Sequence, residues 1–264
     1  MFTKAIVRPP TARFAEGLTT IDLGAPNYAR ALDQHANYCN ALERCGLKVM
    51  RLEADERYPD STFVEDTAVL VAAQKLPRDE GLAVLTRPGA PSRAGEVESI
   101  AEALSRFYPH LHSVAAPGTL DGGDVCEAGD HFFIGVSERT NEAGAQQLAT
   151  LLESFGYTSS LIDTRPLKNI LHLKSGLAFL GNKLLVVIDA LADHESFADF
   201  DLLRVKAAEQ YEANCVRVND YVLVAAGYPE FERTVQGFGF KTLAIEMTEF
   251  QKMDGGLSCL SLRF

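Results

Sequence analysis

The chain lacks any run of 18 or more apolar residues, and without one no helix spans a bilayer. Its opening, MFTKAIVRPP, reaches Pro9 and Pro10 after a short apolar stretch, so no secretory leader is expected. Cysteine pairing motifs are missing too. Cys39, Cys45, Cys126, Cys215 and Cys259 are odd in number and widely spaced, with no CxxC pair, and the six histidines show no metal-ligand spacing. That pattern argues against a disulfide framework or a structural metal site, and reduced thiols in a cytoplasmic protein are the expectation. A basic excess is also lacking: 25 Lys and Arg stand against 36 Asp and Glu, a net charge of −11. Nucleic acids and anionic membranes need a basic footprint, so neither is an expected partner, whereas an acidic field favours a cationic small molecule. No linker or low-complexity tract divides the 264 residues, and one domain over 1–264 is expected.

What is present is repetition. Short apolar, β-branched runs recur, each with a polar residue near its start: FVEDTAVLVAA (63–73), LDGGDVCEAGDHFFIGV (120–136), LHLKSGLAFLGNKLLVVI (171–188), ANCVRVNDYVLVAAG (213–227) and LSCLSLRF (257–264). The markers Asp66, Asp124, His172, Asn214 and Cys259 fall 42 to 58 residues apart, a period typical of repeat architectures. Turn residues separate paired strands at Gly129-Asp130, Gly181-Asn182 and Asn219-Asp220. Helical periodicity fills the intervals: YARALDQHANYCNALERCG, with Gly46 as a C-cap, GEVESIAEALSRFY, NEAGAQQLATLLESFG, DFDLLRVKAAEQ and EFERTVQGFG.

An open stack needs polar capping repeats, and none is visible, so five hairpin-plus-helix units predict a closed ring. The lone last strand would then pair with the first, TKAIVRP, joining the termini. In such a ring Asp66, Asp121 or Asp124, His172, Asn214 and Cys259 converge near the axis. A thiol, an imidazole and carboxylates in one pocket supply a nucleophile, an acid/base and charge stabilisation. Gly255 and Gly256, just before Cys259, let the backbone approach a ligand closely. The other four cysteines read as packing, and the histidines at 35, 110, 112, 131 and 194 as surface residues.

The motifs FVEDTAV, TRPGAPSR, LDGGDV, SERTN, LHLKS, EANC and DGGLSC occur in the order and spacing of a known family. From about residue 3 to 264 the chain resembles the dimethylarginine dimethylaminohydrolases, within the arginine deiminase (guanidino-group-modifying) superfamily. The resemblance implies an α/β fold of the five-bladed propeller (pentein) type, five pseudo-symmetric ββαβ-like repeats around a central site in a single catalytic domain. It implies cofactor-free and metal-free hydrolysis of asymmetric dimethylarginine or monomethylarginine to citrulline and an amine.

By the same resemblance Cys259 attacks the guanidinium carbon, His172 is proton donor and then base, and Asp121 orients His172. Asp60, Glu65 and Asp66 bind the guanidinium or amino end, Arg93 and Arg139 clamp the α-carboxylate, Leu18 belongs to a lid, and Met253 and Asp254 line the amino-group pocket. Arginine deiminases carry an Asp two residues after the histidine, where this chain has Lys174; a deiminase acting on another guanidine, or a non-catalytic arginine-derivative binder, is the alternative. A small-molecule substrate and, for a propeller of this size, a homodimer are the expected partners.

Overall fold

A computed structural model of the protein describes residues 1–71, 81–168 and 170–264; Ala72 and Ala73, which end the first predicted run, lie outside the described residues. In chain order the elements are β1 (Lys4–Val7), α1 (Tyr28–Arg44), β2 (Lys48–Arg51), β3 (Ala68–Val71), β4 (Leu82–Leu85), α2 (Glu96–Leu104), β5 (Leu111–Ser113), β6 (Val125–Ala128), β7 (His131–Val136), α3 (Glu142–Ser154) and β8 (Thr158–Asp163). There follow β9 (Leu177–Gly181), β10 (Leu184–Ile188), β11 (Asp201–Val205), β12 (Val216–Val218), β13 (Tyr221–Ala225), α4 (Pro229–Gly237), β14 (Lys241–Ile245), α5 (Thr248–Gln251) and β15 (Leu262–Arg263).

By contact the chain divides into two compact units, residues 1–63 with 174–263, and residues 64–173 with Phe264. The first holds sheets β15-β1-β2, β11-β10-β9 and β12-β13-β14; the second holds β3-β4-β5 and β6-β7-β8. All five share one build: an antiparallel pair whose inner strand takes a parallel third strand. A parallel neighbour requires a crossover, and α1, α2, α3 and α4 each lie in one. In the sheet of the termini the antiparallel partners are β1 and β15, in register Ala5 with Arg263 and Ile6 with Leu262.

The hairpin turns need left-handed backbone, which short polar residues and glycine tolerate. Gly129 has φ +72°, Asn182 +50° and Asn219 +55°. Asn27 caps α1 by accepting from Arg30 N, and Asn141 caps α3 by accepting from Gly144 N. One face of α1, including Ala31, Tyr38, Cys39 and Leu42, buries against Phe14, Phe63 and Phe250. In the second unit Val69, Val84, Phe132 and Ile134 of the sheets pack with Leu148 and Leu152 of α3. Among the described residues no helix is long and apolar enough to cross a membrane.

The marker residues lie at or beside short 3-10 turns just ahead of strands β3, β6, β9, β12 and β15, at Val64–Thr67, Gly122–Asp124, Leu173–Ser175, Ala207–Asn214 and Ser258–Leu260. Local bonds such as Thr67 Oγ1 to Val64 O (2.7 Å) and Asp124 N to Asp121 O (3.0 Å) curl the chain before it extends. Two expectations are corrected. The stretch DFDLLRVKAAEQ is not a helix. Its DLLRV segment pairs in parallel with β10 as β11, where ladder bonds override an apolar spacing that also fits a strand. His35 is buried on the inner face of α1 rather than at the surface.

Candidate active site

In the second unit four separate stretches of chain meet around His172. The turn Val64–Thr67 brings Glu65 and Asp66, both buried. The LDGGD stretch brings Asp121 and Asp124, the turn Pro91–Arg93 brings Arg93, and His172 enters just before Leu173–Ser175. His172 Nε2 lies 3.0 Å from Asp121 Oδ2 and 4.0 Å from Asp66 Oδ1. Asp121 is itself fixed, because its Oδ1 accepts from Gly89 N at 2.8 Å. Asp66 accepts from Gly123 N (2.9 Å) and from Arg93 NH1 (2.6 Å). The rest of the Arg93 fork is held by Glu96, with Nε 3.1 Å from both carboxylate oxygens and NH2 2.7 Å from Oε2.

Close packing explains the glycines of LDGGD. A Cβ at Gly122 would collide with the Glu65 carbonyl oxygen, and one at Gly123 would stand 2.8 Å from Asp66 Oδ1 and from the His172 ring. Larger residues there would push the acids and the imidazole apart.

The electrostatics follow from this crowding. Burial by itself would favour neutral imidazole; the Asp66 charge, the Asp121 hydrogen bond and the charges of Asp124 and Asp121 outweigh it and raise His172 to about 9. Burial likewise favours a neutral Asp66, yet the His172 and Arg93 charges and the hydrogen bonds from Arg93 and Gly123 N hold it below the usual carboxylate range. Arg93 is raised far above its ordinary value: burial opposes the charge, and Glu96 and Asp66 overcome it. At neutral pH the cluster is therefore an imidazolium and a guanidinium among buried carboxylates. Donor atoms of Asp66, Asp121 and His172 lie within 4.8 Å of one another, the spacing of a cation site, and the imidazolium is the cation that neutralises it. Arg139 is half-buried beside this cluster's loops, its N donating to Ser137 Oγ at 3.0 Å, and its guanidinium has no carboxylate at ion-pair distance among the described residues.

The first unit holds the remaining candidates. Cys259 sits half-buried in the Ser258–Leu260 turn, where Gly256 N lies 3.5 Å from its Sγ, a donor that supports negative charge on sulfur. The other four cysteines are buried. Gly255 and Gly256 are required by packing within the chain: a Cβ would strike the Phe63 ring at the first and the Asn214 amide at the second. Leu18 is exposed, and its N donates to both carboxylate oxygens of Asp60 (3.0 and 3.2 Å). Thr20 N donates to Asp254 Oδ2 at 2.5 Å, Thr19 Oγ1 donates to Lys252 O at 3.0 Å, and Met253 beneath them is buried. Leu18, Asp60, Met253 and Asp254 are thus brought together where the Leu18–Thr20 loop is stitched both to Asp60 and to the Lys252–Asp254 segment.

Asn214 was expected near the axis but given no chemical role, and Tyr211 and Glu96 were not singled out. Asn214 accepts from Ser258 N (2.9 Å) and donates to Ser258 Oγ (3.0 Å) and Lys174 O (2.7 Å), while Tyr211 OH donates to Gly255 O (2.8 Å). Together they fix the loop that presents Cys259. The recurrence of Asn214 at the repeat spacing was the available signal. Asn214→Ala removes three hydrogen bonds, those with Ser258 N, Ser258 Oγ and Lys174 O, at about 1 kcal/mol each, so chemical denaturation should show a loss of about 2–4 kcal/mol. An unchanged midpoint would show that the amide does not hold the loop.

Comparison with known proteins adds four findings. Residues 24–202 match the family model described as N,N dimethylarginine dimethylhydrolase, eukaryotic. The N(G),N(G)-dimethylarginine dimethylaminohydrolase of Pseudomonas aeruginosa is 41% identical over 265 residues, covering 100% of both chains. A solved structure of that organism's enzyme, a cysteine-to-serine variant complexed with citrulline, matches with a TM-score of 0.93 at 41% identity, again over 100% of each chain. A histidine-to-glycine dimethylarginine dimethylaminohydrolase, as an adduct with S-methyl-L-thiocitrulline, matches with a TM-score of 0.92 at 41% identity and the same coverage. With five sheets of one build, this likeness places the fold in the five-repeat α/β propeller (pentein) class.

Proposed function

The chain belongs to the dimethylarginine dimethylaminohydrolase family, and on that premise we propose that it hydrolyses Nω-methylated arginine to citrulline and a methylamine. The observation that carries the reading is a buried histidine kept cationic by carboxylates, a poised proton donor in a chain of this family. The relatives' bound citrulline and thiocitrulline adduct support an arginine-derived ligand.

A guanidinium resists nucleophiles because resonance spreads its charge. In this reading Asp66, Glu65 and Asp60 hold that charge while Cys259 Sγ attacks the guanidinium carbon as thiolate, its proton loss favoured by the cationic substrate. The bond from that carbon to the methylated nitrogen breaks as the His172 proton passes to the departing amine, leaving an S-linked thiouronium. His172, now neutral and held by Asp121, takes a proton from water and the hydroxyl adds to the carbon; the C–S bond breaks to restore the thiolate, and the new C–OH gives up its proton to solvent, where the freed amine takes it up, leaving citrulline.

Arg139 receives the α-carboxylate with an open guanidinium, and Arg93 shares a fork that already holds Asp66 and Glu96. Leu18 forms the lid, and Met253 and Asp254 border the amino group. The units act as one catalytic domain, and a homodimer is its proposed assembly.

The test compares citrulline release from asymmetric dimethylarginine, monomethylarginine and arginine. Methylated substrates should exceed arginine by about 10²-fold or more in kcat/KM, since Lys174 stands where a distal-nitrogen acceptor would be needed. Turnover of arginine alone would overturn the substrate assignment.

A further inference from the structure

Asp124 is fully buried, yet it touches none of the groups given a chemical role above. Its Oδ1 accepts from Leu173 N at 2.9 Å, and its Oδ2 accepts from Ser137 Oγ (2.7 Å) and Thr140 Oγ1 (2.6 Å). Each of these three partners leads onward to a different site residue. Leu173 N belongs to the peptide that follows His172. Thr140 Oγ1 accepts from Asp121 N at 3.1 Å. Ser137 Oγ accepts from Arg139 N (3.0 Å) and Thr140 N (3.1 Å).

The hydrogen bonds favour the ionised form. Ser137 Oγ has both lone pairs engaged by N–H donors, so its proton points to Asp124. Thr140 Oγ1 accepts from Asp121 N and donates to Asp124 Oδ2, and Leu173 N–H donates to Oδ1. Burial pushes the Asp124 carboxyl up from its ordinary value, while the His172 charge and these three donors act against that rise. Gly135 preserves the contact: a Cβ there would stand 2.8 Å from Asp124 Oδ1 and 2.9 Å from Leu173 Cβ.

We propose that Asp124 is the positioning residue of this cluster, one buried anion that sets His172, Asp121 and Arg139 in a common register through Leu173, Thr140 and Ser137. The inference rests on the hydrolase reading for its kinetic consequences, and on geometry alone for its effect on His172. The charged groups facing the imidazole are Asp66 from the Val64–Thr67 turn and Asp121 and Asp124 from the LDGGD stretch, with Arg93 behind Asp66.

Asp124→Asn keeps the shape and removes the charge. An amide cannot accept all three protons, because its NH2 must face either Leu173 N–H or the two hydroxyls. In the full-length protein, the His172 ring titration followed by NMR should fall from about 9 by about one pH unit. The kcat for dimethylarginine should fall by about 10²-fold, the scale of an ångström-sized misplacement. Ser137→Ala cuts the branch to Arg139, along with the Thr140 N bond, while leaving the Leu173 N and Thr140 Oγ1 contacts to Asp124; it should raise KM by more than it lowers kcat, which keeps the test open should Asp124→Asn fold poorly. A folded Asp124→Asn variant with the wild-type ring titration, or a Ser137→Ala variant with KM within twofold of wild type, would overturn the proposal. A wild-type protein that leaves dimethylarginine untouched would refute the substrate reading instead, with the ring titration still deciding the role of Asp124.

Discussion

Cys259→Ser is expected to abolish citrulline formation, with kcat reduced by about 10⁴-fold or more, while the protein folds and melts as before. The size of the loss follows from the chemistry. Sulfur attacks as thiolate, and a serine hydroxyl keeps its proton at neutral pH unless a base lies beside it. His172 cannot serve as that base in the first step, because its surroundings keep it protonated. Removing a nucleophile from a site that acts as a unit costs most of the chemical acceleration and leaves only binding and charge stabilisation. Folding should be spared, since Cys259 is half-buried in the Ser258–Leu260 turn and an oxygen there can still accept from Gly256 N. Stability should change by less than about 1 kcal/mol. Acid-quenched wild-type protein should carry a covalent adduct by intact-mass measurement, and the variant should carry none. Retention of a few per cent of wild-type turnover by Cys259→Ser would remove the cysteine from the mechanism.

Much of this was legible in the sequence where local chemistry and period agree. Gly129-Asp130 and Asn219-Asp220 mark their hairpins because only a few residue types tolerate positive φ, and the structure turns there. The stretch NEAGAQQLATLLESFG reads as a helix with an Asn cap and becomes α3. The pairing of TKAIVRP with LSCLSLRF followed from a leftover strand at each end, and β1 lies against β15. What the sequence hid was set by tertiary partners. DLLRV extends because β10 offers it a ladder. The 3-10 turns arise from backbone bonds only a few residues long, too short for any period to betray. Gly255 and Gly256 announced a close approach without saying to what; Phe63, nearly 200 residues away, and Asn214 are the answer. Arg93 and Glu96 stand three apart, and that spacing alone did not reveal that Asp66 shares the same guanidinium.

The second large effect concerns His172→Ala, for which kcat should fall by about 10²–10⁴-fold, the usual worth of a positioned acid/base. Its signature lies in the pH dependence. Wild-type kcat/KM should decline as pH rises through about 9, where His172 loses the proton it must deliver to the amine. The variant should lack that limb, its residual rate depending on water as the proton source. Stability carries the same group with its own sign. The folded-state value, about 9, lies above the unfolded value of 6.5, so the protonated ring stabilises the fold fully below about pH 6.5, and the gain is lost as pH rises through about 9. The span corresponds to roughly 3 kcal/mol. Wild-type Tm should therefore drop between pH 6.5 and 9.5. In His172→Ala the buried carboxylates of Asp66 and Asp121 lose their imidazolium, so its Tm at pH 7 should lie below wild type and the alkaline drop should shrink or vanish. Parallel pH profiles of rate and Tm in the two proteins would show that His172 is neither the titrating group nor the proton donor.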